Sequence, residues 1–79
     1  MTVEIITPEK KLFQGDASMV KVPGTKGSFQ ILNMHAPIVS TLEKGDVVIR
    51  EMNDNELKFA VNGGLVECKN NKIVILVES

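Results

Sequence analysis

Along most of this chain apolar and polar residues alternate with a period of two. Val47 and Ile49 face one way, while Val48, Arg50 and Met52 face the other. Leu57, Phe59 and Val61 alternate with Lys58 and Ala60, and Ser18, Val20 and Val22 share one face of an earlier segment. Such alternation marks strands with one side turned to a core, because successive side chains of a strand point to opposite faces. Ile73, Ile75 and Val77 alternate with Lys72, Val74 and Leu76, so this last segment is apolar on both sides. A strand of that kind is predicted to lie centrally in its sheet. No stretch carries the spacing of an amphipathic helix.

Turn residues punctuate the strands at short, regular intervals: Pro8, Gly15, Pro23-Gly24, Asn33 to Pro37, Gly45, Asn53 to Asn55, Asn62 to Gly64 and Asn70-Asn71. Regular short strands with such turns predict a sandwich or barrel. Asn62-Gly63 is predicted to close a hairpin, because a type I′ turn needs positive φ at both central residues. Asn70-Asn71 is a weaker version of the same signal. The expectation is an all-β fold in one domain over residues 1–79, a small β-sandwich or flattened barrel of about eight to ten short strands.

Composition supports this. Ten Val and seven Ile outnumber nine Leu plus Ala, and β-branched side chains suit a pleated surface better than a helix. At 79 residues the chain can bury one thin core, with too little material for a large enzyme cleft. A net charge of −1 leaves no basic footprint for nucleic acid and no polybasic membrane patch. With no Trp or Tyr and three Phe, parts for stacking bases are few. The lone Cys68 cannot form an internal disulfide, which points to a reducing compartment. The first residues hold no apolar core of a signal peptide, and no run is long enough to span a bilayer. The expectation is a cytosolic, soluble protein, a reading compatible with docking on a membrane complex.

Candidate chemistry is sparse. His35 and Cys68 are the sole residues of their types, and a nucleophilic pair would need them adjacent, with a third group to orient the base. Alternation instead puts Cys68 on the face of Val66, as a small core residue. One His and one Cys fall short of a structural zinc set. The carboxylates are scattered over turns and outward strand positions, with no acid–base pair. Pro23 to Ser28 resembles a phosphate loop superficially, but the glycine spacing fails and no helix follows. Two loops remain: Pro23 to Ser28, and Asn33 to Pro37 with its apolar Met34 and titratable His35.

The order of these motifs resembles a known family. Thr7-Pro8-Glu9, Phe13-x-Gly15, Val22-Pro-Gly-Thr-Lys-Gly-Ser-Phe-Gln-Ile-Leu32, His35-Ala36-Pro37, Leu42-x-x-Gly45, Val61-Asn-Gly-Gly-Leu-Val-Glu67 and Asn71-x-Ile73-x-Ile75-Leu76 run nearly end to end. In this order they are similar to the N-terminal β-sandwich of the epsilon subunit of F-type ATP synthases. The resemblance implies a rotor part without chemistry, catalytic residues or cofactor. It would link the gamma subunit to the membrane c-ring, so that proton-driven rotation reaches the catalytic head. It further implies a peripheral position on the cytoplasmic side of a bacterial inner membrane, and a monomer when isolated. By motif match, Lys26, Gly27 and Ser28 would meet the c-ring, while His35, Ala36 and Ser40 would lie at or near the gamma face. Asn33-Met34 stands where the family commonly has Pro-Gly, Ser28 where Glu is common and Gln30 where Gly is common. In the family a C-terminal helical hairpin carries inhibition of hydrolysis and, in some members, ATP binding; the resemblance here covers the β-sandwich alone. A biotinyl- or lipoyl-type carrier is the competing assignment, with Lys44 at a hairpin tip. The residues flanking Lys44 do not match either carrier motif.

Overall fold

The computed structural model describes residues 1–78. Eight strands follow in chain order: β1 Thr2–Ile6, β2 Lys11–Val22, β3 Phe29–Leu32, β4 Ile38–Leu42, β5 Gly45–Glu51, β6 Glu56–Val61, β7 Gly64–Lys69 and β8 Lys72–Val77. They form one curled sheet in the order β4-β7-β8-β1-β2-β5-β6, with β3 also paired to β2. Every pairing is antiparallel except that of β1 with β8.

The long strand β2 folds this sheet over. Its first half pairs with β1, from Lys11 to Asp16, and its second half pairs with β3 and β5. Between the halves the register slips, so that Ala17 opposes Glu51 but Met19 opposes Arg50. Ser18 is the extra residue of a bulge, and its hydroxyl donates to the Arg50 carbonyl at 3.3 Å. A bulge bends its strand and sharpens the twist. It also shifts the alternation: Ala17, Val20 and Val22 point inward, and the predicted inward Ser18 does not. Gly15 is likewise not a turn, for β2 runs straight through it.

The two halves of the curled sheet close on one core. Val3, Ile5, Val66, Ile73 and Ile75 from one side meet Val20, Val22, Ile31, Val47 and Ile49 from the other, all fully buried. The alternation expected for β5, β6 and β8 holds, with Val47, Ile49, Val61, Ile73, Ile75 and Val77 inside. β8 is central, between β7 and β1.

The two Asn-containing turns exchange roles relative to expectation. β6 pairs with β5, and β7 with β4 and β8, so Asn62-Gly63 joins two halves of the sheet and closes no hairpin. Positive φ there falls on Gly63 (129°) and Gly64 (154°). The type I′ hairpin forms at Asn70 (φ 53°) and Asn71 (φ 59°), between the paired Lys69 and Lys72. A second departure is at Glu43 to Asp46. These residues connect β4 to β5, which do not pair, so Lys44 is not at a hairpin tip.

Candidate functional site: two loops and an open strand edge

The turn between β2 and β3 is built by glycines. The Gly27 amide donates to the Gly24 carbonyl at 2.9 Å, and Gly27 has a φ of 119°. A Cβ on Gly24 would come within 2.7 Å of the Gly27 carbonyl and 2.8 Å of the Phe29 ring. Only glycine therefore lets the turn close this tightly. The result is that Lys26, Gly27 and Ser28 stand exposed at a tip.

This turn leans on the end of β4. The Thr25 amide donates to the Thr41 carbonyl at 3.1 Å, and the Glu43 amide donates to the Pro23 carbonyl at 2.8 Å. The Thr25 and Thr41 hydroxyls share a hydrogen bond of 2.8 Å. Beyond these contacts the turn swings away. A groove opens between it and β4, lined by Lys26, Ser28, Phe29, Ile38, Val39 and Ser40 among others. The structure therefore brings Ser40 beside the Lys26–Ser28 tip.

His35 and Ala36 lie at the other end of β4, in the loop leading from β3. Met34 takes the left-handed conformation there, with φ 63°, at the position where a glycine would cost least. Hydrogen bonds hold the chain in that strained form. The Met34 amide donates to Asn71 Oδ1 at 2.8 Å, and Asn71 Nδ2 donates to Asn33 Oδ1 at 2.9 Å. The N-terminal ammonium also donates to Asn33 Oδ1, at 3.2 Å, and the His35 amide donates to the Leu32 carbonyl at 3.2 Å. The type I′ hairpin at Asn70-Asn71 thus supplies the clamp for the β3–β4 loop. Met34 is pushed outward and is 75% exposed.

Cys68 sits beneath this loop. Its Sγ lies 4.0 Å from the His35 carbonyl oxygen, while the His35 ring turns its Nδ1 to the Ala36 carbonyl at 2.7 Å. The thiol thus meets the main chain of His35 and not its imidazole. Burial pushes the thiol pKa up, which keeps it in the less nucleophilic form. Among the described residues no group of His, Cys, Asp and Glu is arranged to hold a metal ion.

Two further surfaces escaped the sequence reading. On the outward side of β1, Glu4 is ion-paired with Lys11 at 3.1 Å and Lys72 at 3.4 Å, and is largely shielded. The Lys11 hydrogen bond holds its carboxyl below the usual range, with Lys72 adding to the effect. Beside it lies an apolar depression lined by Ile6, Pro8, Leu65, Leu76 and Val77. Leu65, Leu76 and Ile6 align across β7, β8 and β1. The two-sided apolarity of β8 was the signal for this surface. That pattern predicts a central strand, which β8 is, while Leu76 on its outward face is 47% exposed. No helix of the described residues is long and apolar enough to cross a membrane.

Residues 1–79 match the family described as the ATP synthase delta/epsilon chain β-sandwich domain. An ATP synthase epsilon chain from Brevibacillus brevis is 40% identical over 79 residues, covering all of this chain and 60% of that protein. One from Chlorobaculum tepidum is 38% identical over 77 residues, covering 98% of this chain and 88% of that protein. One from Salinibacter ruber is 33% identical, and the chain covers 58% of its length. The chain thus spans about three fifths of the Brevibacillus and Salinibacter relatives. Among solved structures, a chain of the central stalk/c-ring of the Tetrahymena thermophila mitochondrial ATP synthase superposes with a TM-score of 0.82 at 25% identity. That match covers 99% of this chain and 63% of the other. A chain of the Euglena gracilis mitochondrial ATP synthase has the same fold, with a TM-score of 0.89 at 13% identity over 95% of this chain and 48% of its own length.

Proposed function

The chain belongs to the ATP synthase delta/epsilon chain family as its β-sandwich, and from that premise we propose that it is a non-catalytic part of the central stalk. In this role it links the gamma subunit to the c-ring of the membrane sector and carries rotation driven by proton flow to the catalytic head. It works as a peripheral component on the cytoplasmic side of a bacterial membrane. The observation that carries the proposal is the family match over all 79 residues, with relatives named ATP synthase epsilon chains.

The geometry supports a docking role. The exposed tip at Lys26, Gly27 and Ser28 rests against the c-ring. His35, Ala36 and Ser40, on and beside β4, face gamma. Both loops are held by hydrogen bonds to neighbouring strands, so they meet a partner with little ordering left to pay for.

The test is a pull-down with purified gamma, paired with proton-coupled ATP synthesis in reconstituted vesicles. His35→Ala should leave the fold within about 0.5 kcal/mol, as exposed side chains usually do, and weaken gamma binding. Ser28→Trp should impair coupling, because a bulky side chain cannot enter a close contact at the tip. Absence of any gamma binding by the unaltered chain refutes the proposal.

A further inference from the structure

We propose that the open edge of β4 receives an extended strand of the gamma subunit, so that gamma is held partly by main-chain pairing. The inference rests on the gamma assignment above and specifies how that partner is gripped.

The orientation of the β4 backbone follows from its contacts. The Thr41 carbonyl and the Glu43 amide point away from β7, because both bond to the Pro23–Thr25 segment. Main-chain groups of successive strand residues point to opposite edges. Residues 38, 40 and 42 therefore bond to β7, and the Val39 amide and carbonyl point into the groove together with the Thr41 amide. The chain's own Pro23–Thr25 segment begins to pair along this edge, through the bridge between Gly24 and Leu42. It then turns away at Lys26-Gly27 and leaves the rest of the edge vacant.

The vacant stretch is unguarded. Edge strands are usually protected by charge, proline or a bulge. The opposite edge of the sheet, β6, carries Glu56 and Lys58, whereas β4 reads Ile38-Val39-Ser40-Thr41-Leu42 with no charge. Val39 is 62% exposed. Such an edge suits strand addition, in which main-chain bonds supply affinity and alternate side chains supply specificity.

The groove also describes its occupant. Half-buried Phe29 and Ile38 form an apolar floor, so one side chain of the entering strand is apolar. Lys26 is the one charged residue among those lining the groove, which places a carboxylate on the entering strand beside it. Lys26 thus stands between the c-ring tip and the gamma strand. A neutral or basic strand would leave its ammonium group unmatched at the contact.

Proline at position 39 separates edge pairing from folding. The Val39 amide faces the groove and not β7, and proline is tolerated on an edge strand when its nitrogen faces outward. Titration of the 79-residue chain with purified gamma should show Val39→Pro binding about tenfold more weakly, which is about 1.4 kcal/mol. Val39→Ala, which keeps the amide, should change affinity far less. Lys26→Glu should weaken binding, and more so at low salt. Hydrogen exchange on the unaltered chain supplies a readout that does not depend on any variant folding: gamma should protect the Val39 and Thr41 amides. If gamma binds but those amides exchange as in the free chain, edge pairing is overturned while the gamma assignment stands. If gamma does not bind the unaltered chain, both fall. Should the free chain dimerise and Val39→Pro dissolve the dimer, the edge belongs to a second copy, and the inference is overturned in that way too.

Discussion

Replacing Gly64 with Ala tests whether the crossing between the two halves of the sheet is as tight as the geometry implies. Gly64 opens β7 and lies opposite Val77 on β8 and Leu42 on β4, with a φ of 154°. A Cβ there would collide with the Leu76 carbonyl oxygen, and would sit 3.0 Å from the Val77 Cα and 3.1 Å from the Leu76 carbonyl carbon. All three are main-chain atoms of a central strand, which cannot give way without breaking the ladder. The φ costs about 1–3 kcal/mol for a residue with a side chain. Forcing an extra methyl into packed structure costs about 1–3 kcal/mol more. The sum, about 4 kcal/mol, is a large part of the about 4–12 kcal/mol available to a chain of this length. Two other glycines serve as controls. At Gly27 a Cβ meets nothing within 4 Å, so only the strain of its φ of 119° applies. At Gly15 the nearest atom is the tip of the Phe13 ring at 3.2 Å, which can shift. Urea unfolding should therefore rank the losses as Gly64→Ala, then Gly27→Ala, then Gly15→Ala within about 1 kcal/mol of the unaltered chain. A loss at Gly64 no greater than that at Gly15 would refute the reasoning.

Three further outcomes follow from packing and charge. Ile75→Ala removes a fully buried side chain from the central strand and should cost about 2–5 kcal/mol in urea unfolding, whereas Leu76→Ala, on the same strand but outward, should cost far less. Glu4 binds its proton less readily in the folded chain than in the unfolded one, so its contribution is complete above the unfolded pKa and is lost as pH falls through the folded one. Glu4→Gln should accordingly flatten the acid side of a plot of Tm against pH and leave its shape near neutrality unchanged. Asn71→Ala loses the bonds to Met34 and Asn33 and puts a Cβ-bearing residue with no side-chain partner at positive φ, so it should cost about 1–3 kcal/mol by thermal unfolding and speed amide exchange at Met34 and His35.

The local pattern alone determined the all-strand character, the inward faces of β5, β6 and β8, and the burial of Cys68 beside Val66. Each of these follows from side chains that alternate with a period of two, a property the backbone imposes wherever the strand lies. The two loops at Lys26–Ser28 and His35–Ala36 were legible for a similar reason. Their Gly, Pro and Asn residues mark breaks in strand structure whatever surrounds them. Tertiary structure decided what these pieces meet. Asn62-Gly63 has the composition of a hairpin, but β6 finds its partner in β5, so the turn becomes a crossing and the I′ geometry passes to Asn70-Asn71. The bulge at Ser18 carries no local signature, because a one-residue slip appears only when β2 must pair with β1 on one half and β3 and β5 on the other. Met34 at positive φ depends on an Asn71 side chain 37 residues away, and the vacant edge of β4 depends on the Pro23–Thr25 segment leaving it. Periodicity records which way a side chain points. Pairing between distant strands, settled by the shared core, determines which backbone groups remain open to a partner.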